Sequence, residues 1–193
     1  ETFQKHIDRK WIEDALTRTG TATIRKRRLP GEQVVWLVIG MALFVSRSMK
    51  ELVTSLDLAL PGKNLDVAAS AVTQARKRLG EAPLEWLFRL TGNIWGLRSA
   101  RTHDWRGLSV LGMDMSTLRV PDSQENRDTF GGQSPDAKRG ASGYPLVRMV
   151  SMMVLRSHLV LATRVGPWKG SSEISLAREL IEDMPEDALM ILA

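Results

Sequence analysis

A single carboxylate, Asp114, ends a short apolar run and is followed by two hydroxyl side chains. The run covers residues 108–113 (LSVLGM), and Ser116 and Thr117 follow shortly after it. The apolar run predicts a buried β-strand, which would hold the carboxylate rigidly. Carboxylate oxygens are preferred ligands of Mg²⁺, so one hypothesis is a metal site. Taken alone, the pattern slightly favours the alternative, an Asp satisfied by backbone donors. Whether Ser116 and Thr117 support Asp114 or face solvent stays open.

Three other carboxylates could join such a site, and two of them have a ready structural explanation. Asp122 follows Pro121, where a turn is expected, and Asp128 lies in the same polar stretch. Glu173 stands at the start of a predicted helix, where a negative charge complements the helix dipole. We therefore expect Asp122 to stabilise a turn and Glu173 to stabilise the N-terminus of a helix.

Two basic clusters suggest contacts with nucleic acid. In the segment IRKRRLP, four adjacent cations disfavour burial and predict phosphate contact, with a solvated linker as the alternative. In TQARKRLG, glutamine and arginine on one predicted helix match the hydrogen-bonding edges of adenine and guanine. Its alternative is an exposed helix end whose cations complement the helix dipole. The candidate DNA-binding residues are Arg25, Lys26, Arg27, Arg28, Gln74, Arg76, Lys77 and Arg78.

The formal charge of the 193 residues is +5, and it is unevenly distributed. Residues 1–107 hold 18 Lys and Arg against 11 Asp and Glu, whereas residues 108–193 hold 9 against 11. This division predicts contact with a polyanion in the first part and a different role in the second. The absence of cysteine excludes disulfides, thiolate zinc sites and cysteine nucleophiles, and is typical of a reducing cytoplasm. The longest apolar run, residues 34–45, is too short to span a bilayer, so no membrane contact is expected.

Helical periodicity dominates the first 106 residues, and strand patterns dominate the rest. Ser48 and Glu51 form a capping-box signature, Gly80 follows a small-residue helix, and Pro83 suits a first helical turn. Strands are predicted near residues 108–115, 146–157, 158–166 and 188–193, with a long loop over residues 121–145 and a helix over residues 171–184. The second and third strands adjoin closely, which predicts an antiparallel hairpin. The fold class is therefore α+β, a helical DNA-binding bundle followed by elements in the order β-β-β-α-β.

Several separated segments resemble the insertion-sequence transposases of the IS4 family. They are GMDMSTLRVPDSQENRDTFG, YPLVRMVSMMVLRSHLVLATRVGPW and SSEISLARELIEDMPEDALMILA, with TGTATIRKRRLP and AVTQARKRLG upstream. The resemblance covers nearly the whole chain, and the segments occur in the family's order. It implies a helical DNA-binding region over residues 1–106. It also implies that residues 107–193 are the first half of a ribonuclease-H-like catalytic domain of the DDE type.

The resemblance also implies the chemistry. In that family two aspartates and one glutamate bind two divalent metals, Mg²⁺ or Mn²⁺, which assist DNA cleavage and strand transfer. By resemblance, Asp114 is the first of these three catalytic residues and a metal ligand. The implied partners are double-stranded DNA, as terminal inverted repeats and as target, and a second copy of the full-length protein. The implied location is the bacterial cytoplasm, at the nucleoid.

Both ends of the chain are expected to be cut. The chain begins at Glu1 rather than Met and ends in an apolar run, and the family's second aspartate would follow Ala193. The family's glutamate would lie much further on, so the 193 residues alone are expected to be inactive. The alternative, from a different functional class, is a non-catalytic DNA-binding product of a truncated transposase gene, acting as a regulator or surviving as a relic.

Overall fold

The computed structural model describes residues 5–22, 29–56, 69–132 and 143–192. Contacts divide the chain into two compact units, Glu1–Phe88 and Arg89–Ala193. The first unit is helical and the second holds a β-sheet, so the predicted α+β class is confirmed. The domain boundary expected after residue 106 stays a prediction, and residues 89–106 are grouped with the sheet.

In the described part of the first unit, helices pack around one apolar core. They are α1 (Arg9–Arg18), α2 (Gly31–Leu43), α3 (Met49–Leu56), α4 (Ala69–Leu79) and α5 (Ala82–Thr91), whose last turn belongs to the second unit. Helix α2 packs against α1, α3 and α4 because its residues Val34, Val35 and Leu37 are buried in this core. Within the described residues, no helix combines the length and apolar character that a membrane span needs.

Local capping signals place helix ends as predicted. The backbone N–H of Ser48 donates to Glu51 Oε2 at 2.8 Å, and the backbone N–H of Glu51 donates to Ser48 Oγ at 3.3 Å. This reciprocal pair is a capping box at the start of α3. The hydrogen bonds from Ser48, first of all from its backbone, lower the pKa of the Glu51 carboxyl. Gly80 follows α4 with a φ of +67°, which glycine adopts without strain.

The second unit contains a four-stranded mixed sheet with the order β3-β2-β1-β4. Its strands are β1 (Ser109–Arg119), β2 (Leu146–Val154), β3 (Val160–Pro167) and β4 (Ala188–Leu192), and its helices are α6 (Leu97–Thr102), α7 (Gln124–Phe130) and α8 (Glu173–Ile181). Strand β1 pairs antiparallel with β2 and parallel with β4, and β2 and β3 form the predicted antiparallel hairpin. The predicted strands and the helix before the last strand are present.

The loop predicted over residues 121–145 is wrong at residues 124–130, which form α7. Ser123 caps this helix by accepting a hydrogen bond from the Asn126 N–H at 3.2 Å. One turn apart, Gln124 Nε2 donates to Asp128 Oδ1 at 2.8 Å. Helix α7 buries none of its residues. A helix without an apolar side has no hydrophobic periodicity, so the sequence pattern did not predict it.

Strand β1 divides its side chains between the two faces of the sheet. Alternate residues of a strand point to opposite faces. One face packs on α8 in an apolar core that includes Leu111, Met113, Val150, Met152, Leu176 and Leu180. The intervening residues Gly112 and Asp114 therefore lie on the opposite face.

A π-helical turn, Gly92–Gly96, joins α5 to α6 and lies against β3. A Cβ atom at Gly92 would overlap the backbone carbonyl oxygen of Leu161, and one at Gly96 would lie 2.5 Å from Leu161 Cδ2. The two glycines therefore let the helix backbone approach the strand directly. Helix α6 then buries Ala100 and packs on β1.

Gly92→Ala is expected to destabilise the protein by roughly 1–3 kcal/mol, the usual range for overpacking a tight site. The added methyl group would overlap a backbone oxygen, which has no rotamer to change. Gly96→Ala is the matched control, because its methyl group meets the end of a side chain that can rotate. Urea unfolding followed by far-UV circular dichroism measures both variants. If Gly92→Ala were as stable as the wild type, the close approach of this turn to β3 would be wrong.

Candidate functional site

Asp114 is exposed on β1, one of the two strands that have a neighbour on each side in the sheet. Its register partner on β2 is Ser151, and the partner of Ser151 on β3 is Thr163. Directly paired residues of adjacent strands project to the same face. Asp114, Ser151 and Thr163 therefore form a line of polar side chains across three strands, which we call the polar row. The described pairing with β4 ends one residue earlier, where Met113 meets Leu192.

The backbone orients the carboxylate of Asp114. The N–H of Met115 donates to Asp114 Oδ1 at 2.8 Å. The N–H of Ser109 donates to the carbonyl oxygen of Asp187, just before β4, and N–H groups an even number of residues apart on a strand point the same way. The Met115 N–H therefore points toward the β4 side of β1. Among the described residues, no hydrogen bond is assigned to the other oxygen, Oδ2.

The hydroxyl groups of the polar row are ordered by a carbonyl group. Thr163 Oγ1 donates to the carbonyl oxygen of Val150 at 3.1 Å and lies 2.6 Å from Ser151 Oγ. Because the Thr163 hydroxyl has one proton, Ser151 is the donor in the bond between the two hydroxyls. The proton of Ser151 is then directed away from Asp114, and only lone pairs of its oxygen remain. The row can thus offer oxygen ligands to a cation.

The hydroxyls that follow Asp114 in the sequence are separated by the strand alternation. Ser116 lies on the face of Asp114, whereas Thr117 lies on the opposite face, and both are exposed. Sequence reasoning missed Ser151 and Thr163 instead, because register between strands is not visible in periodicity. Their only signal was a hydroxyl residue inside each mostly apolar strand of the predicted hairpin.

Of the other candidate carboxylates, two have partners of their own and the third lies at the start of a helix. Asp122 accepts from Arg127 Nε at 2.6 Å and from Arg127 Nη2 at 2.7 Å, and these bonds lower the pKa of the Asp122 carboxyl. Asp128 accepts from Gln124, and Glu173 lies in the first turn of α8. Within the described residues, no group of three or more His, Asp or Glu side chains could hold a metal ion. Asp114 is therefore not joined there by a second and third acidic ligand.

The candidate DNA-binding residues of α4 lie on its solvent side. Gln74, Arg76, Lys77 and Arg78 are all exposed. The same helix turns Val72, Ala75 and Leu79 into the core of the first unit. Packing thus fixes the helix and leaves the cations free to contact a partner. The other cluster, Arg25, Lys26, Arg27 and Arg28, lies outside the described residues.

Comparison with known proteins places these features in a family. Residues 1–89 match the family model for the insertion element 4 transposase N-terminal region. Over 194 residues, covering 99% of this chain and 62% of the relative, the chain is 36% identical to the putative transposase InsZ of Escherichia coli strain K12. Over 187 residues, covering 97% of this chain and 41% of the relative, it is 39% identical to the transposase InsG for insertion sequence element IS4 of the same strain. The chain is similar to IS4-family transposases over nearly its whole length.

The predicted resemblance to IS4 transposases is thereby confirmed. The chain spans less than two thirds of the length of either relative. No solved structure matches it. The family model ends at residue 89, inside α5, whereas the matches to the two relatives extend across the strands that carry the polar row.

Arg127→Gln is expected to raise the pKa of Asp122 toward its usual range, because the hydrogen bonds from Arg127 are the main cause of its lowering. The folded-state pKa of Asp122 lies below the unfolded value, so the pair's stabilisation is complete above the unfolded pKa. It is lost as the pH falls through the folded pKa. An NMR titration of the Asp122 side-chain carboxyl carbon measures the change. Asp128→Asn is the control, because it removes a nearby carboxylate and keeps the pair. An unchanged Asp122 pKa in Arg127→Gln would contradict the assignment.

Proposed function

We propose that this chain is the N-terminal portion of a DDE-type transposase. In this proposal a helical DNA-binding region precedes the first half of a ribonuclease-H-like catalytic domain. The observation that carries the proposal is the exposed Asp114 on β1, a strand that pairs antiparallel on one side and parallel on the other. The full-length protein would cut DNA at the ends of a mobile element and join those ends to a target. It would do so at the nucleoid in the bacterial cytoplasm, as a dimer that pairs the two ends.

Asp114 is the residue that we assign to metal binding. The Met115 N–H holds one of its oxygens, and Ser151 turns lone pairs rather than a proton toward it. These oxygens suit the hard cations Mg²⁺ and Mn²⁺. A bound pair of such ions would supply Lewis-acid activation of the nucleophile and charge stabilisation at the leaving oxygen. The role of Asp114 would be to provide a negative charge at a fixed position on a rigid strand. The remaining acidic ligands would come from outside the described residues.

DNA binding is assigned to the two basic clusters. On α4, Gln74, Lys77 and Arg78 are spaced by three and four residues, so they share one exposed side of the helix. That side presents a guanidinium, an ammonium and an amide, which are donors suited to phosphates and base edges. Residues 25–28 would add phosphate contacts from the segment between α1 and α2.

The chain by itself would bind DNA without cutting it. Asp114 has too few acidic neighbours among the described residues to complete a metal site. This observation also fits the alternative function, a non-catalytic DNA-binding regulator that occupies the element's ends. Mg²⁺-dependent cleavage by the 193-residue chain, abolished in Asp114→Ala, would contradict both statements.

In the full-length transposase, Asp114→Asn is expected to reduce cleavage at the element's ends by at least about 100-fold. Metal-assisted charge stabilisation amounts to several kcal/mol, and each 1.36 kcal/mol corresponds to about tenfold in rate. DNA binding is expected to remain. Asp128→Asn is the matched control, since it makes the same change at an exposed carboxylate of the same unit. Gel analysis of end cleavage in Mg²⁺ and Mn²⁺ measures both variants, and wild-type cleavage by Asp114→Asn would refute the assignment.

Loss of charge from α4 is expected to weaken DNA binding and its salt dependence. Each phosphate contact contributes about 0.9 to the slope of log affinity against log salt, so Lys77→Ala with Arg78→Ala should lower the slope by nearly two. Lys10→Ala, at an exposed cation on α1, is the control. Fluorescence anisotropy with a duplex that carries the element's end sequence measures affinity at several salt concentrations. Equal slopes for the α4 variant and the control would contradict a role of α4 in DNA contact.

A further inference from the structure

An open groove of about 400 Å³ runs along the π-helical turn and α6. Its lining consists of Asn93, Ile94, Leu97, Arg98, Arg101 and Thr102. None of these residues belongs to the sites assigned above. The groove therefore needs an explanation of its own.

The floor of the groove is held firmly by the sheet. Ala100 is 1% exposed, and Leu97 packs against the core beneath the strands. Gly96 lies against Leu161 of β3. Arg98 and Arg101 are exposed on the outer side of the same helix, three residues apart, so their side chains are neighbours. The helix that carries the two guanidinium groups is thus fixed against the sheet.

These two guanidinium groups form no ion pair with a carboxylate of the described residues. The polar side chains beside them already donate elsewhere. Asn93 Nδ2 donates to the carbonyl oxygen of Arg89 at 2.9 Å, and Thr102 Oγ1 donates to that of Arg98 at 2.9 Å. The guanidinium N–H groups, together with the second N–H of the Asn93 amide, are therefore the side-chain donors left in the groove. A phosphate, with its paired oxygens, suits these guanidinium groups better than a cationic or a neutral polar ligand would.

The charge around the groove differs from that of the rest of its unit. Residues 89–107 hold four arginines and one aspartate, whereas residues 108–193 hold 9 Lys and Arg against 11 Asp and Glu. An anionic partner that is attracted to this unit would therefore contact it at α6. Ile94, which is 37% exposed, and Leu97 add an apolar surface on which a sugar can pack.

We infer that this groove binds the phosphodiester backbone of duplex DNA through Arg98 and Arg101. The contact is additional to those of α4 and residues 25–28. It rests on the proposed function, because that function supplies the DNA.

The test is fluorescence anisotropy of the 193-residue chain with a duplex, over about 50 to 200 mM salt. Arg98→Ala with Arg101→Ala is expected to lower affinity about 10- to 100-fold and to reduce the salt slope by nearly two, the value for two lost phosphate contacts. Arg178→Ala is the matched control, since Arg178 is an exposed arginine on α8 of the same unit. Arg98→Lys with Arg101→Lys retains the charge and should retain the slope, which separates loss of charge from a change in folding.

The outcomes separate this inference from the proposed function. If the alanine variant keeps the wild-type affinity and slope while the α4 variant is weakened, the groove does not bind DNA and the proposed function stands. If the wild-type chain binds no duplex, both fail. Inorganic phosphate at matched ionic strength should displace the duplex no better than chloride does. Displacement by millimolar phosphate that the alanine variant abolishes would assign the groove to a small phosphate and overturn the inference.

Discussion

The pairing of β1 with strands on both of its sides determines where Asp114 can lie. Strand side chains alternate with a period of two, so a slip of one residue would exchange the two faces of β1. In the observed register Leu111 and Met113 are 0% and 5% exposed, whereas Asp114 is exposed. The slipped register would expose two core side chains, at roughly 1.5–3 kcal/mol each, and would bury a charge. The same hydrophobic burial that forms the core therefore presents the carboxylate.

The polar row depends on a second register, between β2 and β3. Ser151 opposes both Asp114 and Thr163, and the ladder is irregular beyond it, between Met152 and Met153. The polar row therefore lies in the part of the β2–β3 ladder where the pairing is regular. The bond from Thr163 to the Val150 carbonyl then decides which way the Ser151 proton points. A side chain two strands away thus influences which chemistry is available beside Asp114.

Much of the fold could be predicted from the sequence because its signals are local. The capping box at Ser48, the glycine after α4 and the amphipathic helix before the last strand each depend on residues within a turn or two. Helix α7 could not be predicted this way, since its stabilising contacts are polar and its apolar residues are few. The polar row and the approach of Gly92 to Leu161 could not be predicted either, because both depend on pairing between residues far apart in the sequence. For the site, the sequence located Asp114, and the resemblance to a family supplied the role that we propose for it.

On the proposed function, a carboxylate lies at a site that must bind DNA, whose phosphate groups carry the same negative charge. Phosphate groups repel Asp114, so it can act on DNA only through a cation, and it adds nothing to the attraction of the duplex. Residues 108–193 carry more acids than bases, so the sheet and α8 do not supply that attraction. On the proposed function it comes from the basic residues elsewhere in the chain, among them the exposed cations of α4 and α6. Helix α6 is the more informative of the two, because it packs on β1 and the turn before it touches Leu161, two residues before Thr163. The position of a phosphate bound at Arg98 and Arg101 would therefore be fixed relative to the same strands that position Asp114. Because one sheet supports both α6 and Asp114, the DNA backbone could be placed precisely relative to the carboxylate. Such placement is what a reaction at a fixed group requires.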